Sequence, residues 1–484
     1  MSKRFHDVYV SNVLMPDYRF AVQHLSQHFL DAMTAHVRTV QKLEDDHVQA
    51  HQSEINNLLA ALNELRSVTL PEYDSEVPDL YFAFNQKLES QLGQEIVSFL
   101  RLGLSRNDLD MTVYKMRTRE LLLQVTEHLG RLRRALLAQA EAHLETILIA
   151  QTHHQPGQPT TVAHYLAAID NALARDSSRL FSAFERLNTC PLGAAALAGS
   201  SHALDRHFTA QLLGFDAPVS NTYDAVASAD WQVEFVGVLQ SVALTLSRFV
   251  NDLLGWAASG LYTLADTLVQ GSSIMPQKRN PVALEHARTR FSRTLGSSQM
   301  VLYSSHNIPY ADLNDFGPDI QGALVSLFIQ LDGGLALLTA CLEEGSFDHA
   351  ELSTRASQTD TTATELADVL TRDVGVSFQQ AHHLAGALVT KLQAENKTLQ
   401  EATPQDLTAL GGPELDADTL REALDARAFV ARRSGFGGPA PKIVGEHVTL
   451  ARQTLQKNLD RLAQLQKHLT EVRNNLVTTW REQT

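Results

Sequence analysis

Apolar side chains recur at spacings of three and four along nearly the whole chain, and no sustained run alternates apolar with polar positions. The pattern therefore predicts helices and no strands. Residues 18–66 read as two helices and 78–95 as a shorter one. Ser105-Arg106-Asn107-Asp108 supplies N-cap chemistry for a helix running to about residue 148, with only Gly130 and no proline to interrupt it. Further helices are expected at 159–186, at about 223–257, from Pro281 to about 304, and at about 318–345. Helices of about 30–40 residues far exceed the usual 10–14. They suit an extended bundle in which each helix is covered along its length, partly by other subunits. After about residue 355 the helices shorten, broken by Gly411-Gly412-Pro413 and by the stretch from Ser434 to Pro439; a last helix covers about 440–479. The expected fold class is all-α: an elongated central long-helix bundle (109–355) flanked by smaller N- and C-terminal helical domains (1–108 and 356–484).

Composition narrows the function classes. The 484 residues carry 40 Lys plus Arg against 55 Asp plus Glu, a net charge of −15, which argues against a general nucleic-acid binder. Two cysteines, Cys190 and Cys341, are too few for a disulfide scaffold and fit a reducing compartment. The N-terminal stretch lacks the apolar core of a targeting segment, so a cytoplasmic protein is expected. Residues 322–342 are long and apolar enough to span a membrane, but Asp332 sits at their middle, where it would cost about 2.5–3.5 kcal/mol. A helix buried in a large core is the better reading, and no membrane partner is expected.

One segment concentrates anion-binding chemistry. Gly271-Ser272-Ser273-Ile274-Met275-Pro276-Gln277-Lys278-Arg279-Asn280-Pro281 joins two long helices. A glycine followed by two hydroxyl residues permits a tight turn whose N–H groups face an anion. Lys278 and Arg279 add positive charge, and Pro281 starts a helix whose N-terminus favours an anion. An ordinary basic loop capping a helix remains the alternative on composition alone. The segment is not a P-loop, because Gly-Lys-Ser/Thr is missing, and Gly435-Phe436-Gly437-Gly438 is not a dinucleotide fingerprint, because no strand precedes it. No His-Glu-x-x-His or comparable pair points to a metal, and no organic cofactor is implied.

The segment GSSIMPQKRNP closely resembles the signature loop of the fumarase/aspartase superfamily. Ser105-Arg106-Asn107-Asp108, the 152–161 stretch THHQPGQPTT, the 191–199 stretch PLGAAALAG and Gly437-Gly438-Pro439-Ala440-Pro441 resemble blocks of argininosuccinate lyases, the nearest branch, in matching order. The resemblance implies an all-α fumarase/aspartase-like fold. It also implies a carbon–nitrogen lyase that β-eliminates fumarate from an N-(1,2-dicarboxyethyl) amine, a small dicarboxylate substrate. In that reading Ser272 takes the Cβ proton, Lys278 helps stabilise its alkoxide, and His153 assists protonation of the leaving nitrogen. Ser105, Arg106, Asn107, Thr152, Gln158, Ser273, Met275, Asn280 and Tyr310 are the implied substrate-binding residues, and a homotetramer with active sites shared by three subunits is the implied assembly.

Departures from the family pattern bear on the substrate. The acidic-acidic-x-His segment reads Pro78-Asp79-Leu80-Tyr81, the His-Thr-Gly-Arg before the Ser105 block reads Arg101-Leu102-Gly103-Leu104, and Pro156 replaces an arginine. The groups expected to face the fumarate half survive, while many of the changes fall where the amine half is expected. Argininosuccinate and another aminosuccinate, such as a diamine disuccinate of the ethylenediamine-disuccinate-lyase type, therefore both stand. Two non-catalytic readings compete: a crystallin-like structural relative and a metabolite-binding helical scaffold.

Overall fold

The computed structural model describes residues 5–70 and 72–478. Residues 1–4 of the expected non-targeting N-terminus, and the expected last helical residue, 479, lie outside them. Helices dominate. The N-terminal part carries α1 (Met15–His24), α2 (Ser26–Gln41), α3 (Gln52–Glu64) and α4 (Leu80–Leu92). The long helix α5 spans Arg106–Ala142, opened by a capping box in which Ser105 and Asp108 exchange hydrogen bonds across the first turn. Three bundle helices follow α6 (Val162–Leu187), namely α8 (Asp230–Ala258), α9 (Val282–Ser304) and α10 (Pro318–Glu344), with the short helix α7 (Thr222–Ala227) leading into α8. Beyond them stand α11 (His349–Ser357), α12 (Ala363–Arg372) and α13 (Phe378–Ala394). The chain then runs through α14 (Ala426–Arg432) into α15 (Pro441–Thr478).

The expectation that no segment forms a strand is corrected. The long helix stops at Ala142, not near 148, and the chain turns into a hairpin of β1 (Ile147–Thr152) and β2 (Gln155–Thr161). Ile147 and Ile149, β-branched and packed beside Phe429 and Val430, favour the extended backbone over another helical turn. A second, two-residue ladder pairs β3 (Gln270–Gly271) with β4 (Arg279–Asn280) and closes the Ser272–Lys278 loop.

One large core joins α2, α5, α6, α8, α9, α10 and α15, with a separate small core around Leu366, Leu370 and Leu388. Two charged groups on the long helices are paired. Arg133 of α5 forms a two-pronged ion pair with Asp170 of α6, at 2.8 and 3.2 Å, with both side chains buried. A buried charge is tolerated when its partner and geometry are fixed in this way. Asp332, the acid in the membrane-like stretch, pairs with His128 of α5. Both α8 and α10 are long and apolar enough to cross a membrane, yet half of each one's most apolar window is buried within this single chain.

Asp108 ties the start of α5 to the 191–199 stretch. Its Oδ1 accepts the Ser105 N–H at 3.0 Å, and its Oδ2 accepts the N–H groups of Gly193 at 2.8 Å and Ala195 at 2.9 Å. Gly193 sits at φ 89, a backbone setting that glycine reaches without strain. Burial pushes the Asp108 carboxyl up to about 7, against the pull of these N–H donors.

Candidate active site

The site residues expected from sequence fall into two groups at opposite ends of the bundle. Ser105, Arg106 and Asn107 stand at the N-terminus of α5. Tyr310, on the segment between α9 and α10, belongs to the same end: its hydroxyl donates to Asp224 of α7 at 2.5 Å, and its ring stacks with Tyr223. That bond to Asp224 pushes the Tyr310 phenol up to about 12, so it stays protonated at neutral pH. Asn107 donates to the Ala196 carbonyl at 3.3 Å. Arg106 is not a free donor. Its Nη1 binds Asp79 and its Nη2 binds Asp110 at 2.8 Å. Despite the cost of burial, Asp110 and Asp79 raise the guanidinium's affinity for its proton. A cavity of about 140 Å³ opens here, lined by Asp17, Asp79, Asp110 and Asp319 together with Arg106.

The second group lies at the far end. Thr152, His153 and Gln158 are on the hairpin, where all three are exposed. Thr152 pairs with Gln155, so His153 and His154 alone form the turn, at φ 54 and 61. A two-residue hairpin loop with positive φ at both positions normally selects Asn or Gly. Two histidines there are under backbone strain of the kind found at functional sites. We expect His154→Gly to raise stability by about 1 kcal/mol in thermal denaturation, while fumarate release stays within about twofold.

The flap that carries Ser272, Ser273, Met275, Lys278 and Asn280 projects from the same end as the hairpin. Its base is pinned by Arg279, which pairs with Asp266 and donates to the Leu264 carbonyl at 2.8 Å. Its tip is open, with Ile274 83% exposed and Lys278 exposed. Ser272 is oriented by its own loop: its Oγ accepts the N–H groups of Ile274 at 3.3 Å and Met275 at 3.1 Å. Two backbone dipoles therefore converge on the oxygen that would carry charge if the hydroxyl lost its proton.

Helix lengths fix the separation of the two groups. The 37 residues of α5 rise about 55 Å between Arg106 and the hairpin, and the 23 residues of α9 rise about 35 Å between the flap and the Tyr310 segment. A small substrate cannot touch both groups of one chain. Among the described residues no cluster of three or more His, Cys, Asp or Glu is placed to hold a metal ion.

Sequence reasoning missed the carboxylates that engage the expected residues: Asp79 and Asp110 on Arg106, and Asp224 on Tyr310. Asp110 was legible in principle, because it lies four residues after Arg106 on one helix face. Asp79 and Asp224 come from distant segments and carry no local signal.

Long packed helices with the Ser105 block at one end and the hairpin and flap at the other define the class, a helical lyase of the fumarase/aspartase fold, and the comparisons agree. A model of the family described as "Lyase" matches residues 16–296, and one described as "Argininosuccinate lyase C-terminal" matches residues 360–431. Argininosuccinate lyase 2 of Agrobacterium fabrum is 35% identical over 382 residues, 77% of this chain and 76% of that protein. Argininosuccinate lyase of Methanocorpusculum labreanum is 36% identical over 403 residues, 81% of each. Among solved structures, EDDS lyase in complex with formate superposes with a TM-score of 0.87 at 26% identity, covering 97% of this chain and 94% of that one. A class II fumarase from Schistosoma mansoni, at 18% identity and a TM-score of 0.66, shares the fold. The chain belongs to the argininosuccinate lyase family and is a carbon–nitrogen lyase that releases fumarate. Nothing in these comparisons supports the crystallin-like or scaffold readings.

Proposed function

We propose that the enzyme β-eliminates fumarate from an N-(1,2-dicarboxyethyl) amine, argininosuccinate or a related aminosuccinate, with Ser272 as the base. The observation that carries this reading is the pair of backbone N–H groups on Ser272 Oγ. A serine removes a carbon-bound proton only if its alkoxide is stabilised, and these donors, with Lys278 on the same loop, provide that. As the Cβ proton leaves, its electron pair spreads into the adjacent carboxylate, which becomes doubly negative. In this reading Arg106, Asn107, Thr152, Ser273, Lys278 and Asn280, drawn from several chains, stabilise that charge. The carbon–nitrogen bond then breaks, and the departing amine takes a proton with His153 assisting. Ser105, Gln158, Met275 and Tyr310 complete the substrate contacts.

Such a site needs several chains, because the two groups are separated by the length of a helix. We propose the homotetramer, with the Ser105–Asn107 block, the hairpin and the flap supplied by three different subunits. Large apolar side chains left exposed on the core helices support subunit contact there: Leu244 on α8, Met300 and Tyr303 on α9, and Ile329 on α10. The three-part organisation at 1–108, 109–355 and 356–484, and a cytoplasmic setting, go with this reading. The carboxylates lining the cavity beside Arg106 favour an amine half that itself carries positive charge. The test is the reverse reaction, with fumarate offered alongside arginine, ethylenediamine and the common amino acids. Fumarate absorbance should fall with a cationic amine. Arginine as the sole productive partner would define a biosynthetic role and broad diamine use a catabolic one, while no consumption with any amine would contradict the proposal.

A further inference from the structure

Arg106 is held before any substrate arrives. Its Nη1 donates to Asp79, which also caps α4 by accepting the Phe82 N–H at 3.2 Å. Its Nη2 donates to Asp110 Oδ2 at 2.8 Å, one turn further along α5. A planar guanidinium gripped at both Nη atoms by carboxylates on two different elements has little rotational freedom left. Its Nε is buried and has no hydrogen-bond partner, and neither has Asp110 Oδ1. Both residues line the same cavity of about 140 Å³.

We propose that Asp110 is a positioning residue for the elimination: while ionised, it fixes the Arg106 guanidinium so that its remaining Nη donors take a substrate carboxylate. This rests on Arg106 binding the dicarboxylate half, as set out above. Around Asp110 stand Arg106 and Tyr114 on its own helix, Asp79 at the start of α4 and Asp312 ahead of α10. Asp17 of α1 and Asp319 of α10 line the same cavity. Burial pushes the Asp110 carboxyl up to about 6, with Arg106 pulling it back down. Below that pH Asp110 takes up a proton and the guanidinium loses one of its two charged anchors, so substrate binding weakens as the solution is acidified.

The experiment compares the whole enzyme with Asp110→Asn, Asp110→Glu and Ser272→Ala, following fumarate release from whichever aminosuccinate the reverse reaction identifies. Asp110→Asn should raise KM about tenfold while kcat changes by no more than about twofold. KM of the parent is expected to rise below about pH 6, and this rise should be smaller in the variant, where Asp17 of the cavity still titrates in that range. Asp110→Glu, which keeps the charge, should restore KM and its pH dependence at least in part. An Asp110→Asn enzyme whose KM and pH profile match the parent overturns the proposal, as does Asp110→Glu being no better than Asp110→Asn. Ser272→Ala separates the two levels. If that variant keeps full activity, the site reading itself has failed; if it is inactive while Asp110→Asn is unaffected, only the role of Asp110 has failed.

Discussion

Ser272→Ala should lower kcat for fumarate release by about 10³-fold and leave the folded enzyme otherwise unchanged. The hydroxyl's hydrogen bonds stay inside its own loop, to the N–H groups of Ile274 and Met275, so the core loses no contact when it is removed. The flap remains pinned by Arg279 on Asp266 and by the β3–β4 ladder. Melting temperature and oligomeric state should therefore match the parent enzyme. KM should change little if, as proposed, other donors hold the dicarboxylate, and a loss confined to kcat marks a group that acts in the transition state. A variant that loses less than tenfold would show that another group takes the proton, whereas a variant that unfolds would show the loop to be structural.

The helical architecture was legible because its signal is repetitive. Positions such as Trp231, Phe235, Val238, Val242, Leu246, Phe249 and Leu253 of α8 keep the three-and-four spacing, and all are buried. The hairpin was not legible, for a local reason. Ile147, Leu148 and Ile149 continue the apolar density of α5, and the strand after the turn carries Pro156 and Pro159, which donate no ladder hydrogen bond and blur a strand's signature. The turn itself is His153-His154, not the Asn-Gly type that announces a hairpin. The flap was legible as a loop because glycine, hydroxyl and proline residues cluster there between two long apolar helices. What sequence could not convey is distance. That Arg106 and Ser272 stand at opposite ends of the bundle follows only from the lengths and packing of α5 and α9.

The second large effect follows from that separation. On the proposed roles, Arg106→Ala should abolish fumarate release by removing a donor to the dicarboxylate, and Ser272→Ala should abolish it by removing the base. If each site draws these two residues from different chains, an enzyme assembled from equal amounts of the two variant chains contains some sites in which both residues are intact. Random mixing leaves each residue intact in half of its positions, so about a quarter of the sites are complete. Co-expression of the two variants, followed by purification of the mixed oligomer and an ultraviolet assay of fumarate, reads this directly. Recovery to about a quarter of the parent activity, from two parents that are each inactive, is the predicted result. Mixed oligomers as inactive as either variant alone would mean that one chain supplies both groups, and the shared-site account would be wrong.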